Sequence, residues 1–166
     1  MKFDELGLSR DLLDAIANAG YTDATPIQEQ AIPHLLMGRD LLGIAQTGTG
    51  KTGAFGIPAI QKIDPSIKSP QVLILSPTRE LALQSAKELK KFAKFLDGVK
   101  SVAVYGGADI NTQRKAIRSG CQIIVGTPGR TLDFVQRKTL DLSNISILVL
   151  DEADRMLDMG FMPDVK

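Results

Sequence analysis

Two short segments carry residue types suited to phosphate chemistry, and the first is a glycine-rich run that leads into a predicted helix. It reads Ala45-Gln46-Thr47-Gly48-Thr49-Gly50-Lys51-Thr52. Glycines let backbone N–H groups turn inward around phosphate oxygens. In a phosphate loop, the lysine reaches the β- and γ-phosphates and the threonine hydroxyl ligates Mg²⁺. The general pattern has glycine where this chain has Ala45, but the Gly-Lys-Thr end is intact, so the run predicts a phosphate-binding loop.

The second segment is acidic and directly follows a predicted buried strand. Asp151 and Glu152 come after the apolar run that ends at Leu150. Acidic residues at the carboxyl end of a parallel strand face the ligand crevice, where Asp151 can hold Mg²⁺ and Glu152 can orient or deprotonate an attacking water. The alternative is that these acids only stabilise the first turn of a following helix. The phosphate loop upstream favours the magnesium role.

Five mostly apolar runs predict strands that are buried on both faces of a parallel sheet. They are Leu41–Ala45, Val72–Ser76, Ser101–Tyr105, Gln122–Gly126 and Ile145–Leu150. The stretches between strands predict helices. Alternation of strands and helices predicts right-handed β-α-β units and an α/β fold, a parallel sheet sandwiched by helices.

Local signals give the helix boundaries. Ser9 is predicted to cap a helix that runs through Ala19, with Gly20 ending it. The pair Thr25-Pro26 is predicted to open the next helix. Two further helices are expected from Lys51 to about Lys62 and from Arg79 to Leu96, the second with its lysines on a solvated face.

Composition bounds the kind of protein. The 166 residues suffice for one domain with a core, and a net charge of +1 means that any nucleic-acid contact must come from a local patch. No apolar run approaches the length of a membrane span, and the charged N-terminus has no secretory signal. The single cysteine excludes a disulfide within the chain. The expected location is the cytoplasm.

The two segments together resemble the DEAD-box family of ATP-dependent RNA helicases, because Asp151-Glu152-Ala153-Asp154 follows the phosphate loop. The resemblance covers essentially the whole chain. Tyr21 and the segment from Thr25 to Gln28 are similar to the family's adenine-reading Q motif, with Phe3 as its upstream aromatic. The resemblance implies that Gln28 hydrogen-bonds the adenine edge and Tyr21 stacks on its face. Thr25 and Gln28 also fit a capping box, and the two roles can coexist in part.

Three further segments resemble the motifs with which the family holds an RNA backbone. They are Pro77-Thr78-Arg79 within motif Ia, the doublet Gly106-Gly107, and Thr127-Pro128-Gly129-Arg130 as motif Ib. Each follows a predicted strand, so all three are expected at one edge of the sheet. Thr78 and Thr127 read as N-caps, and Arg79 and Arg130 either contact phosphate or brace the loops. Backbone contacts imply little sequence preference.

The resemblance implies a RecA-like domain over residues 1–166, with the Q motif in 1–28 and the other motifs in 45–154. It implies ATP and Mg²⁺ as cofactors, RNA as partner, and catalytic roles for Lys51, Asp151 and Glu152. The family continues with a Ser-Ala-Thr motif and a second RecA-like domain, so we expect either that this sequence is a fragment of a longer chain or that its sheet is completed in trans or rearranged. In either case we expect that residues 1–166 alone bind nucleotide weakly, hydrolyse ATP slowly and do not unwind RNA. The rival interpretations are a phosphate-loop NTPase of another class that acts on DNA, and a non-catalytic RNA-binding module.

Overall fold

The structure is a computed structural model that describes residues 2–21, 23–25, 28–29, 32–33, 51–94, 96, 98–107 and 109–150, with the backbone alone at 4 and 51–54. The predicted strand 41–45, the phosphate loop before Lys51 and the carboxylates from Asp151 onward lie outside this set. The chain forms two compact units. One unit contains Met1–Asp64 and Glu88–Gly98, and the other contains Pro65–Lys87 and Val99–Lys166.

The helices and strands follow the predicted order closely. The helices are α1 (Arg10–Asn18), α2 (Lys51–Gln61), α3 (Arg79–Phe92), α4 (Ile110–Arg118) and α5 (Pro128–Gln136). The strands are β1 (Val72–Leu75), β2 (Ser101–Val104), β3 (Ile123–Gly126) and β4 (Ile147–Leu150). A short 3-10 helix spans Phe3–Leu6. No helix in the described part of the chain has the length and apolar character needed to cross a membrane.

Helix α1 confirms the boundaries predicted for the first amphipathic segment. The Leu12 N–H donates to the Ser9 hydroxyl, which satisfies one of the free amides of the first turn. After the helix, Gly20 adopts a φ of +93°, a left-handed conformation that glycine reaches without steric cost. The helix buries Leu12, Ala15 and Ile16 on one face. Sequence signals at both ends therefore determine this element.

The second unit contains a four-stranded parallel sheet in the order β2-β3-β1-β4. Strands β1 and β3 lie in the centre, and every residue of both is buried. Ile117 of α4 and Phe134 of α5 pack in a cluster with Leu73 and Ile124 on one face of the sheet. The α/β fold with a parallel sheet is confirmed, and the apolar runs at 72–75 and 123–126 are buried on both faces because they form its centre.

Strand β4 corrects one expectation. The sequence predicts burial on both faces for all strands, but Leu148 and Leu150 of β4 are 53% and 38% exposed. The first three residues of β2, at the other end of the described sheet, are also only half-buried. Strand β4 lies at one end of the described sheet, and the core cluster that includes α4 and α5 draws its strand residues from β1, β2 and β3. An apolar run predicts that a strand forms, but the elements packed against the strand decide how much of it is buried.

Gly126, the last residue of β3, lies where a side chain would collide with α5. A Cβ at this position would overlap the Thr131 hydroxyl and come within 3.1 Å of the Val104 carbonyl oxygen. The Thr131 side chain is buried, and its hydroxyl has no hydrogen-bond partner among the described residues. Close contact between β3 and the first turn of α5 therefore depends on glycine at 126.

We expect Gly126→Ala to lower the free energy of unfolding by about 1–3 kcal/mol, the usual cost of overpacking a close contact. In a Thr131→Ala background the cost should fall, because the overlapping hydroxyl is gone. Urea unfolding of the four proteins of this cycle measures the coupling. Gly129→Ala is the control, since nothing lies within 4 Å of its Cβ position and its stability should not fall. Equal costs of Gly126→Ala in both backgrounds would contradict the contact.

Candidate functional site

The carboxyl ends of the four strands lie at one level of the sheet. Leu75 of β1 is in register with Gly126 of β3 and with Leu150 of β4, and Val104 of β2 is also in register with Gly126. Each of these is the last residue of its strand. The loops after β1, β2 and β3 must therefore begin side by side. These three loops, taken together with the first turns of the helices that follow them, contain the predicted RNA-binding residues. The strand order gives their order along the edge: the glycine doublet, then Thr127–Arg130, then Pro77–Arg79.

The loop after β1 leads into helix α3 through Pro77 and Thr78. Pro77 is buried, whereas Thr78 is half-buried and Arg79 is exposed. The Leu81 N–H donates to the Thr78 hydroxyl at 3.3 Å, so the predicted N-cap is confirmed. The Arg79 guanidinium lies over the Tyr105 ring, 5.1 Å from its centroid, within cation–π range.

The loop after β2 contains the glycine doublet. Gly106 and Gly107 are both exposed, and Gly107 has a φ of +82° that a residue with a side chain rarely adopts. Helix α4 follows, and the Asp109 carboxylate caps it by accepting from the Asn111 N–H at 3.0 Å. The Asp109 carboxylate therefore occupies the N-terminus of α4, while the backbone of the glycine doublet is exposed.

The loop after β3 leads into α5. Thr127 has the N-cap position and an extended backbone, but its hydroxyl makes no capping hydrogen bond. The predicted N-cap position of Thr127 is therefore confirmed, but its side chain does not satisfy a helix amide. Pro128 occupies the first turn and has no N–H, and Gly129 beside it is exposed. With no side-chain cap, the first turn of α5 keeps donors for an incoming phosphate oxygen.

Both site arginines are held against neighbouring groups within this unit. Arg130 Nη1 donates to the Gln113 side-chain oxygen at 3.2 Å, and its guanidinium lies 5.7 Å from the centroid of the Phe134 ring. Arg79 lies over Tyr105. The sequence left open whether these arginines contact phosphate or brace loops. The structure shows bracing contacts for each, and a guanidinium with five N–H groups retains donors beyond those contacts.

Tyr105 and Gln113 are the residues at this edge that sequence reasoning missed. The side-chain nitrogen and oxygen of Gln113 both form hydrogen bonds with the Tyr105 backbone, and the residue is 6% exposed. The sequence does contain a signal for Gln113, because Ile110, Gln113 and Ile117 share the helical spacing of a buried stripe. A polar residue within such a stripe indicates a buried hydrogen-bonding role.

The predicted adenine-reading residues belong to the first unit. The Thr25 N–H donates to Gln28 Oε1 at 2.9 Å, and the Gln28 N–H donates to the Thr25 hydroxyl at 3.4 Å. This is the reciprocal geometry of a capping box. The Gln28 side chain is 1% exposed. The capping role is therefore present, and the adenine role of Gln28 stays a prediction.

Tyr21 packs beside Phe92 and makes a hydrogen bond through its hydroxyl. The ring centroids are 5.7 Å apart at an interplanar angle of 43°, and the phenol donates to Glu88 Oε2 at 2.8 Å. Burial, and then the hydrogen bond and negative charge of Glu88, raise the pKa of Tyr21 to about 12. The phenol therefore stays protonated and donating at neutral pH. These contacts orient the Tyr21 ring. Its stacking on adenine stays a prediction.

The phosphate loop from Ala45 to Gly50, the side chains of Lys51 and Thr52, and the carboxylates Asp151 and Glu152 lie outside the described residues. Their flanking elements have the expected boundaries. Helix α2 begins at Lys51, and β4 ends at Leu150 in register with Leu75. Among the described residues, no three His, Cys, Asp or Glu side chains form a group that could hold a metal ion.

Comparisons with known proteins agree with this arrangement. The model of the DEAD/DEAH box helicase family matches residues 25–166. The chain is 56% identical over 164 residues, 99% of its length, to the ATP-dependent RNA helicase DeaD of Escherichia coli strain K12. It is 55% identical over 166 residues, its whole length, to the DEAD-box ATP-dependent RNA helicase CshA of Streptococcus pneumoniae TIGR4. It spans 26% and 32% of the length of these relatives.

A solved structure agrees as well. The crystal structure of a DEAD box protein from the hyperthermophile Methanococcus jannaschii matches with a TM-score of 0.93 and 44% identity, over 99% of this chain and 45% of that one. The family's model and these relatives cover the strands, the loops at their carboxyl ends and the segments outside the described residues alike. This chain therefore belongs to the DEAD/DEAH box helicase family.

Proposed function

We propose that this chain is the N-terminal, ATP-binding RecA-like domain of an ATP-dependent RNA helicase. The observation that carries the proposal is the common level of three neighbouring loops at the carboxyl ends of β1, β2 and β3. These loops contain the residues that resemble the family's RNA-backbone motifs. A second RecA-like domain of the same longer chain would complete the enzyme, and the short share of each relative that this chain spans supports that view. The cytoplasmic location stays a prediction.

The ATP-binding role is assigned to the segments around the two predicted phosphate-chemistry sites. Lys51 binds the β- and γ-phosphates, and the amides from Ala45 to Gly50 surround them. The start of helix α2 at Lys51 supports this role, because a helix N-terminus favours negative charge. Gln28 contacts the adenine edge with its amide, and Tyr21 stacks on the ring.

Hydrolysis needs a group that orients the attacking water. Glu152 follows the end of β4 by two residues, which suits that role at the carboxyl edge of the sheet. Thr52 and Asp151 would hold Mg²⁺, which supplies positive charge to the phosphate oxygens as the bond to the γ-phosphate breaks. Both residue types offer the oxygen ligands that Mg²⁺ prefers.

The RNA-binding role is assigned to the three loops. Gly106, Gly107 and Gly129 are exposed, so a phosphate can approach their backbone closely. Arg79 and Arg130 add positive charge and remaining N–H donors. None of these contacts reads a base edge, so binding is expected to depend little on sequence and to weaken with salt. In the complete enzyme, hydrolysis would drive RNA clamping and release, and so separate short duplexes.

We expect Glu152→Gln in the full-length protein to lower the RNA-stimulated rate of ATP hydrolysis about 100-fold or more, because the group that activates water is lost. Binding of a fluorescent ATP analogue should change little. Glu5→Gln is the matched control, since Glu5 is an exposed glutamate in the 3-10 helix. Hydrolysis by the Glu152→Gln protein at the rate of the control would contradict the assignment.

The nucleic-acid specificity has its own test. Single-stranded RNA should stimulate the ATPase of the full-length protein, and DNA of the same sequence should stimulate it much less. A DNA-directed phosphate-loop NTPase predicts equal stimulation, and a non-catalytic RNA-binding module predicts RNA binding without hydrolysis. Steady-state ATPase assays at matched oligonucleotide concentrations distinguish the three.

Helix capping by Thr25 and adenine binding by Gln28 can be separated by comparing two variants. Thr25→Ala removes the hydroxyl that accepts from the Gln28 N–H, while it keeps the Gln28 amide. It should cost about 1 kcal/mol of stability and leave ATP affinity nearly unchanged. Gln28→Met should also weaken ATP binding about tenfold and reduce the preference for ATP over GTP, because the hydrogen bonds to adenine are lost. Equal ATP affinity of both variants in a nucleotide-binding titration would restrict Gln28 to helix capping.

A further inference from the structure

The side-chain amide of Gln113 connects two of the three loops at the carboxyl edge of the sheet. Its Nε2 donates to the Tyr105 carbonyl oxygen at 3.0 Å, and its Oε1 accepts from the Tyr105 N–H at 3.4 Å. The same Oε1 accepts from Arg130 Nη1 at 3.2 Å. Gln113 is 6% exposed and lies in the interior of α4. One buried amide thus holds the residue before the glycine doublet and the arginine of the loop after β3.

The paired contacts with Tyr105 fix where the chain leaves β2. Tyr105 is the first residue after the strand, and both its N–H and its C=O bond to the Gln113 amide as they would to a neighbouring strand. Gly106 and Gly107 come next and have little conformational restriction of their own. The direction of their exposed backbone therefore depends on how Tyr105 is held.

The contact with Arg130 restricts a side chain that would otherwise have many rotamers. Its guanidinium is held between Gln113 Oε1 and the Phe134 ring. The Tyr105 ring, in turn, lies below the Arg79 guanidinium. Through Tyr105 and Arg130, the Gln113 amide is thus connected to all three loops that we assign to RNA binding.

We propose that Gln113 is a positioning residue that holds the Gly106-Gly107 backbone and the Arg130 guanidinium in the arrangement that fits consecutive phosphates of one RNA strand. Because it is buried, it acts through Tyr105 and Arg130 and not by touching RNA. This inference rests on the proposed function. It predicts that losing the amide weakens RNA binding specifically, beyond any general loss of stability.

Gln122 offers a matched control within the same unit. It is 1% exposed and, like Gln113, makes three side-chain hydrogen bonds to its surroundings. Its partners are the Lys100 N–H and the carbonyl oxygens of Pro65 and Ile67. Gln122 precedes the first residue of β3, so it lies at the amino end of the sheet, away from the three loops.

The test compares Gln113→Met and Gln122→Met in the full-length protein. Each exchange keeps a side chain of similar length and removes the amide. Urea unfolding measures stability, and an ATPase titration with single-stranded RNA gives both the half-saturating RNA concentration and the maximal rate. We expect both variants to lose stability. Only Gln113→Met should raise the half-saturating RNA concentration, by about tenfold, while its maximal rate and its ATP affinity without RNA stay within about twofold of wild type.

A double variant tests whether the effect passes through Arg130. In an Arg130→Met background, the rise in half-saturating RNA concentration caused by Gln113→Met should be about three times smaller than in wild type. The reason is that the Arg130 guanidinium, one of the two groups that Gln113 positions, is already absent. If Gln113→Met does not fold, Gln113→Asn serves instead, since an amide one methylene shorter cannot reach both Tyr105 and Arg130. It should also raise the half-saturating RNA concentration.

The outcomes separate this inference from the proposed function. A wild-type protein whose ATPase does not respond to RNA overturns both. A wild type that responds, with an unchanged half-saturating RNA concentration in Gln113→Met or Gln113→Asn, overturns the positioning role alone. An equal rise in the half-saturating RNA concentration of Gln122→Met would also overturn the positioning role, because the effect would then be a general result of lost stability. A rise confined to the Gln113 variants supports it.

Discussion

The shared level of the strand ends is the constraint on which the rest of this structure depends. Parallel pairing in register puts Leu75, Val104, Gly126 and Leu150 side by side, so that the loops after β1, β2 and β3 start at one edge of the sheet. Residues far apart in sequence then become neighbours without any direct signal between them. The two central strands are fully buried, which strongly specifies their register. Hydrophobic burial therefore positions the polar loops.

Close packing and helix capping hold the elements at this edge of the sheet in place. Gly126 ends β3 and meets Thr131, which fixes the start of α5 against the sheet. Asp109 caps α4, and Thr78 caps α3. Helix α5 differs, because Thr127 does not cap it. At this edge, side chains thus cap the first-turn N–H groups of α3 and α4, whereas no side chain caps those of α5. Uncapped N–H groups at a helix N-terminus are the kind of donor that binds phosphate in proteins.

Much of the fold was predictable from local patterns. The four described strands lie within the predicted runs, and Ser9 and Gly20 bound α1 as expected. Exposure of Leu148 was not predictable, since it depends on which helices cover β4. The residues of the three loops were predicted from resemblance to family motifs. The bracing role of Gln113 was missed because it needs two loops that only the folded sheet brings together.

The sequence by itself determined the type of each described element, the residues predicted to bind phosphate and Mg²⁺, and the family that these residues resemble. Those properties depend on residue type and short spacing, which a linear chain already contains. Tertiary structure alone decided that Arg79 lies over Tyr105, that Arg130 bonds Gln113, and that the hydroxyl of Thr127 is left without a helix amide. These contacts join separate loops or depend on the exact start of a helix, so they arise only when parallel pairing brings the strand ends to one level.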